Sequence, residues 1–115
     1  TLQSNASALG VNQTWTNCTT GGARSLETTY TNSTGRAIYV AVTQRTDPKD
    51  GNTHFVRLFA YVGNVIVATS QRSLYGLNGV TLQASVIFVV PTGAYYSVRR
   101  HASVGGINIS WYELL

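Results

Sequence analysis

Carboxylates are nearly missing from this chain: Glu27, Asp47, Asp50 and Glu113 are the only acids among its 115 residues. Methionine is absent, Lys49 is the single lysine and Cys18 the single cysteine. Each scarcity excludes something. One cysteine cannot build an intrachain disulfide framework, and it has no partner at CxxC or metal-ligand spacing, so Cys18 reads as a small strand residue. Glycoside hydrolysis needs two carboxylates about 5 to 10 Å apart, one with a raised pKa. Asp47 and Asp50 flank Pro48-Lys49, where they read as solvated turn-formers, and the chain reads as a non-enzyme. Neither Gly21-Gly22 nor Gly105-Gly106 lies in the strand-loop-helix frame of a phosphate loop, and no serine sits in a nucleophile motif. No cofactor is implied. The longest apolar stretch, Val86 to Val90, falls far short of the roughly 18 residues that span a bilayer, so no membrane insertion is expected. Residues 1–9 lack the basic and apolar regions of a signal peptide and read as the end of a stalk or linker.

Charge is sparse as well. Charged residues make up 10% of the chain, against roughly 25% in ordinary soluble domains. Hydroxyl and amide side chains take their place. The net charge of +4 rests almost wholly on arginines. Along the sequence these are scattered except for Arg99-Arg100, whereas nucleic-acid binders gather basic residues among aromatics on one face. No nucleic-acid partner is expected. Asn-x-Ser/Thr triplets at Asn5, Asn12, Asn17, Asn32 and Asn108 would carry surface glycans in a secreted eukaryotic protein. In a chain this rich in Ser, Thr and Asn they also arise by chance.

What is abundant is β-forming. Thr, Val, Tyr and Ile dominate and helix formers are few. Ile38, Val40 and Val42 share one parity, Tyr39, Ala41 and Thr43 the other, which is the period of a half-buried strand. The same alternation sets Val56, Leu58, Ala60 and Val62 against Phe55, Arg57, Phe59 and Tyr61. It recurs in Leu82, Ala84, Val86 and Phe88, and in Ile107, Ile109 and Trp111. Strands are expected over 10–19, 54–62, 65–72, 80–90, 95–101 and 107–114, with a hairpin over 27–43 built on the Thr31-Asn32-Ser33-Thr34-Gly35 turn signal. Gly63-Asn64 fits a two-residue type I′ or II′ turn. Val86 to Val90 is apolar on both faces, which suits a strand covered on its second side by a neighbouring subunit. Turns at this spacing predict one all-β domain over 10–115, an antiparallel β-sandwich of about seven to eight strands.

If every connection reverses the chain, the loops at 20–26, 44–53, 72–79 and 102–106 gather at one pole. The turns at 35, 63–64 and 91–94, and the arriving N-terminal segment, gather at the other. Long loops on a rigid scaffold are the usual seat of recognition. Lys49, Asp50, Asn52, His54, Arg72, Tyr75 and His101 are the candidate binding residues, because aromatic, cationic and amide side chains suit sugars and protein loops alike. His54 and His101 fall at the same pole, but two histidines without a third ligand do not define a metal site. Trp15, Tyr30 and Trp111 read as core or subunit contacts.

Several of these segments also resemble a known family. The Gln13-Thr14-Trp15 opening, Arg24, the Thr28-Thr29-Tyr30-Thr31-Asn32 run with its Thr34-Gly35-Arg36 turn, and the closing Ile109-Ser110-Trp111-Tyr112-Glu113-Leu114 look like the C-terminal domain of bacteriophage tail-fibre proteins. The likeness covers residues 10–42 and 107–115. It departs at Asn12, where family members commonly carry Gly, and at Ala37, where they commonly carry Pro. The resemblance implies a homotrimer at the distal end of the fibre on the virion. Its expected function is adsorption to a bacterial surface receptor: lipopolysaccharide, capsule or an outer-membrane protein. A structural cap that only trimerises the fibre is the alternative. A secreted carbohydrate-binding sandwich outside phage biology is a third reading.

Overall fold

The computed structural model describes residues 9–19, 24–46, 54–74, 82–102 and 108–115. Among these residues eight strands form two antiparallel sheets: β1 (Trp15–Asn17), β2 (Tyr30–Thr31), β3 (Ile38–Thr46), β4 (His54–Val62), β5 (Val65–Leu74), β6 (Leu82–Val90), β7 (Tyr95–Ala102) and β8 (Asn108–Leu114). Sheet A has the order β1-β8-β3-β6 and sheet B the order β2-β7-β4-β5. The all-β sandwich expected from the alternating pattern is the observed architecture.

Parity decides what is buried. Ile38, Val40, Val42, Leu82, Ala84, Val86, Phe88, Val90 and Trp111 of sheet A pack on Val56, Leu58, Ala60, Tyr96 and Val98 of sheet B, all buried. Each fully buried aliphatic chain contributes roughly 1.5 to 3 kcal/mol. β6 alternates without a break, its odd residues facing out.

Two expectations fail for local reasons. The first strand is only three residues long, because Gly10 and Asn12 adopt positive φ (90° and 57°), which no strand contains. The segment 27–43 is not a hairpin. β2 pairs with β7 in sheet B while β3 pairs with β6 and β8 in sheet A, so the chain reverses and also changes sheet. Asn32 makes that crossing. Its buried amide donates to the carbonyls of Arg36 (2.8 Å), Val90 (3.0 Å) and Pro91 (3.2 Å), and its Oδ1 accepts from the Thr34 hydroxyl (2.7 Å). An asparagine spent this way carries no glycan in the folded chain. Of the connections between these strands only β4–β5 is a hairpin. There the positive φ falls on Gly63 and not on Asn64, which selects type II′ over type I′.

The poles largely follow the expected arrangement. Backbone hydrogen bonds join Asn32 to Ala94, Gly93 to Asn32 and Gly63 to Tyr95, so the three tight turns share one end. The N-terminal segment arrives there too, where Gln13 Nε2 donates to the Ala37 and Leu114 carbonyls at 2.9 and 3.1 Å. Registers Thr46↔Leu82, Arg45↔Asn108, His54↔Leu74 and Val56↔Ala102 collect the remaining strand ends at the opposite end. One loop breaks the scheme. Arg24 N–H bonds Cys18 O and Glu27 N–H bonds Val98 O, so the described part of the 20–26 loop runs along the flank, midway between the poles.

Candidate functional site

The outer face of sheet B is where polar chemistry gathers. Along β4 the outward residues are Phe55, Arg57, Phe59 and Tyr61; along neighbouring β7 they are Tyr95, Ser97, Arg99 and His101. The register sets Arg57 beside His101, Phe59 beside Arg99 and Tyr61 beside Ser97. Phe55 meets His101 edge to face at 5.1 Å, Arg57 lies 4.9 Å over the Phe55 ring, and Arg99 lies 5.9 Å from the Tyr61 ring centre. The scattered look of the arginines in sequence is therefore corrected: Arg57 and Arg99, 42 positions apart in the chain, stand among aromatics on one face.

Near the tight-turn pole this face hollows into a cleft of about 370 Å³, lined by Thr29, Tyr61, Asn64, Tyr95, Ser97 and Arg99, with Gly63 at its end. Small residues make the hollow. Ser97 stands between Tyr95 and Arg99 on β7 and opposite Tyr61 on β4, so a short side chain forms the floor between three long ones. A β-bulge lies alongside: pairing shifts from Ala60↔Ala68 to Tyr61↔Ile66, leaving Val67 of β5 unpaired. Such a bulge adds local twist, and it exposes Val65, Ile66 and Val67 in succession.

Glu27 stands beside Arg99 of the cleft lining. It holds a left-handed backbone (φ 65°), donates its N–H to Val98 O at 2.9 Å and accepts the Arg100 N–H on Oε1 at 2.7 Å. Past the end of the two-residue β2 it thus serves β7 in place of a strand. Its other oxygen faces Arg99 Nη1 at 3.6 Å, both side chains nearly half exposed.

A second polar cluster centres on a carboxylate closed to solvent. Glu113 is fully buried and accepts from Tyr96 Oη (2.7 Å), Trp111 Nε1 (3.0 Å) and Arg24 Nε (3.1 Å) on one oxygen and from Arg24 Nη2 (3.3 Å) on the other. The Arg24 guanidinium lies 4.6 Å over Tyr30, whose ring packs 5.9 Å from both Tyr96 and Trp111. Burial works against the Arg24 charge, but hydrogen bonds to Tyr96 and Glu113 outweigh it and hold the proton more firmly than usual. Burial and then the hydrogen bond to Glu113 push the Tyr96 hydroxyl above its ordinary value of 10.0; burial and the Glu113 charge do the same to Cys18 from 9.0. This carboxylate, with every partner supplied from within and no exposed surface, is framework.

The residues chosen from sequence fare unevenly. His101 and Arg72 are exposed, and the strand positions of His54, Arg72 and His101 lie toward the loop pole. Lys49, Asp50, Asn52 and Tyr75 lie outside the described residues, as do the loops that carry them. Among the described residues no group of His, Cys, Asp and Glu could hold a metal, and no helix is long and apolar enough to cross a membrane. Trp111 is buried as expected, and Tyr30 is half-buried against it. Trp15 is not core: it is 49% exposed on the outer face of sheet A, stacked on Tyr39 at 6.5 Å. The cleft is not legible in the sequence, although Phe55, Arg57 and Tyr61 share one parity. Only the pairing of β4 with β7 brings Tyr95, Ser97 and Arg99 beside them.

Compared with known protein families, characterised proteins and solved structures, the chain matches none.

Proposed function

We propose that this chain is the receptor-binding tip domain of a bacteriophage tail fibre, holding the virion to a bacterial surface receptor by reversible, non-covalent contacts. The outer face of sheet B is the observation that carries the binding part of this reading. Aromatic rings alternate there with cationic and hydroxyl groups, and they end in a cleft on rigid strands, the make-up of a recognition surface. The phage part rests on the resemblance of residues 10–42 and 107–115. Those segments supply the Gln13, Asn32 and Glu113 clasps, so the likeness lies in the framework and leaves the recognition face to the remainder of the chain.

The outer face of sheet A supports the trimer. Its register places Trp15, Leu114, Tyr39 and Val89 in one lateral row and Asn17, Tyr112, Ala41 and Ile87 in the next. Trp15, Val89, Tyr112 and Ile87 are 40 to 60% exposed. Toward the loop pole the face turns polar, with Thr43 and Ser85 hydroxyls bonded at 2.9 Å. An apolar band of this kind is stabilised when a second copy covers it. It also favours the cap reading, in which that self-contact is the domain's whole task.

Competition decides between them. The purified domain, added in excess, is expected to block adsorption of the phage that carries this chain. Unblocked adsorption by a properly trimeric domain would leave the cap. Three sites per fibre and several fibres per virion allow each contact to be weak.

A further inference from the structure

The cleft between Tyr61 and Tyr95 has the size, the walls and above all the charge of a site for one particular ligand class. Its volume of about 370 Å³ lies at the small end of the range for small-molecule pockets, about 300 to 1,000 Å³. That admits one six-membered ring with its substituents. Tyr95 is 61% exposed and Tyr61 half-buried, so their rings offer apolar surface without rearrangement. The Ser97 and Thr29 hydroxyls, the Asn64 amide and the Arg99 guanidinium bring donors and acceptors to the same hollow. Tyrosine rings set among donors and acceptors match a molecule with an apolar C–H face and a hydroxyl edge.

Charge narrows the class. Among the described residues Arg99 is the only cationic side chain lining the cleft, and the Glu27 carboxylate stands 3.6 Å from it. The pair leaves the site close to neutral while keeping its hydrogen-bonding groups. A phosphate or carboxylate ligand would gain little from Arg99 and would be repelled by Glu27. Single-stranded nucleic acid fits worse, because its stacking grooves need cationic groups tracking each phosphate.

We propose that this cleft binds an uncharged pyranose of a bacterial surface polysaccharide, its apolar face against a tyrosine ring and its hydroxyls on Ser97, Thr29, Asn64 and Arg99. The inference rests on the receptor-binding reading and moves the contact from the loop pole to the side of sheet B.

The test is an NMR titration of the full chain with methyl glycosides of glucose, galactose, mannose, rhamnose and N-acetylglucosamine, beside glucuronate, glucose 6-phosphate and a short oligothymidylate. At least one neutral glycoside is expected to shift the amides of Tyr61, Asn64, Tyr95, Ser97 and Arg99 in the millimolar range, more tightly than either charged sugar. Tyr95→Ala, at an exposed position, is expected to weaken it about tenfold, as loss of one stacked ring implies. Glu27→Gln keeps the acceptor for the Arg100 amide and is expected to reverse the preference, raising glucuronate above the neutral sugar. Silence from every neutral glycoside, or tighter binding of glucuronate, phosphate or oligothymidylate by the unaltered chain, overturns the assignment. Binding to a panel of bacterial strains separates the two levels. Cell binding untouched by Tyr95→Ala and Arg99→Ala removes the cleft but keeps receptor recognition; a chain that binds no strain removes receptor recognition itself.

Discussion

Two arginine–glutamate pairs, each among tyrosines, sit in this sandwich and do opposite things. Arg24 and Glu113 meet at 3.1 Å with the carboxylate fully buried, and Tyr96 and Trp111 complete its hydrogen bonds. Arg99 and Glu27 face each other at 3.6 Å, both nearly half exposed, beside Tyr61 and Tyr95. The residue types are the same. What differs is how much of each pair faces outward: in the first only the partly exposed Arg24 beside a carboxylate sealed from solvent, in the second two side chains that are both nearly half exposed. Burial with complete partnering makes architecture, and partial exposure with incomplete partnering makes a surface able to recognise.

The largest expected effect lies on the buried side. Glu113→Ala removes the buried acceptor shared by Arg24, Tyr96 and Trp111, and urea unfolding should show a loss of about 3 to 5 kcal/mol. Glu27→Ala is expected to cost no more than about 1 kcal/mol from its exposed pair, and comparable losses from the two variants would erase the distinction.

Alkaline pH should act on the buried cluster. Tyr96 and Cys18 have raised pKa values, so above the ordinary values of 10.0 and 9.0 the unfolded chain releases protons that the folded chain retains. Unfolding is then favoured. Stability is intact below pH 9 and falls as pH rises through 9 and 10, which thermal melts from pH 7 to 11 would show. Cys18→Ala should flatten the first part of that decline.

Assembly sharpens the contrast from another side. Ile87 is 60% exposed on sheet A, so Ile87→Arg should leave the protomer folded. Sedimentation is expected to show three copies of the 12.4 kDa chain falling to one. A trimer that survives would place the subunit contact elsewhere. Smallest of all in stability is Tyr95→Ala, which is expected to change unfolding by no more than about 0.5 kcal/mol, since nothing in the core depends on that ring.

Much of the fold was legible because period-two alternation is a property of single strands. Ile38 to Val42, Val56 to Val62 and Leu82 to Phe88 announce their inward faces with no knowledge of their neighbours. Pairing is another matter. The Thr31-to-Gly35 signal correctly says that the chain reverses, but a turn does not state whether its arms rejoin one sheet. The Asn32 amide, shared between Arg36, Val90 and Pro91, depends on a strand more than fifty residues away. Glu113 could have been found: it continues the inward parity of Ile109 and Trp111, and an acid at an inward position demands a partner. Which cation answers it was not legible, because Arg24 lies 89 residues earlier. The cleft shares that fate, being assembled from β4, β7 and residue 29 only once sheet B is formed.

The most direct measurement of the central claim is cell binding by a Tyr95→Ala, Arg99→Ala double variant, read beside its melting temperature and sedimentation mass. The account predicts a melt within a few degrees of the unaltered chain, an unchanged mass and lost binding to the strains that the unaltered chain holds. Binding retained in full by that folded, assembled variant would contradict it.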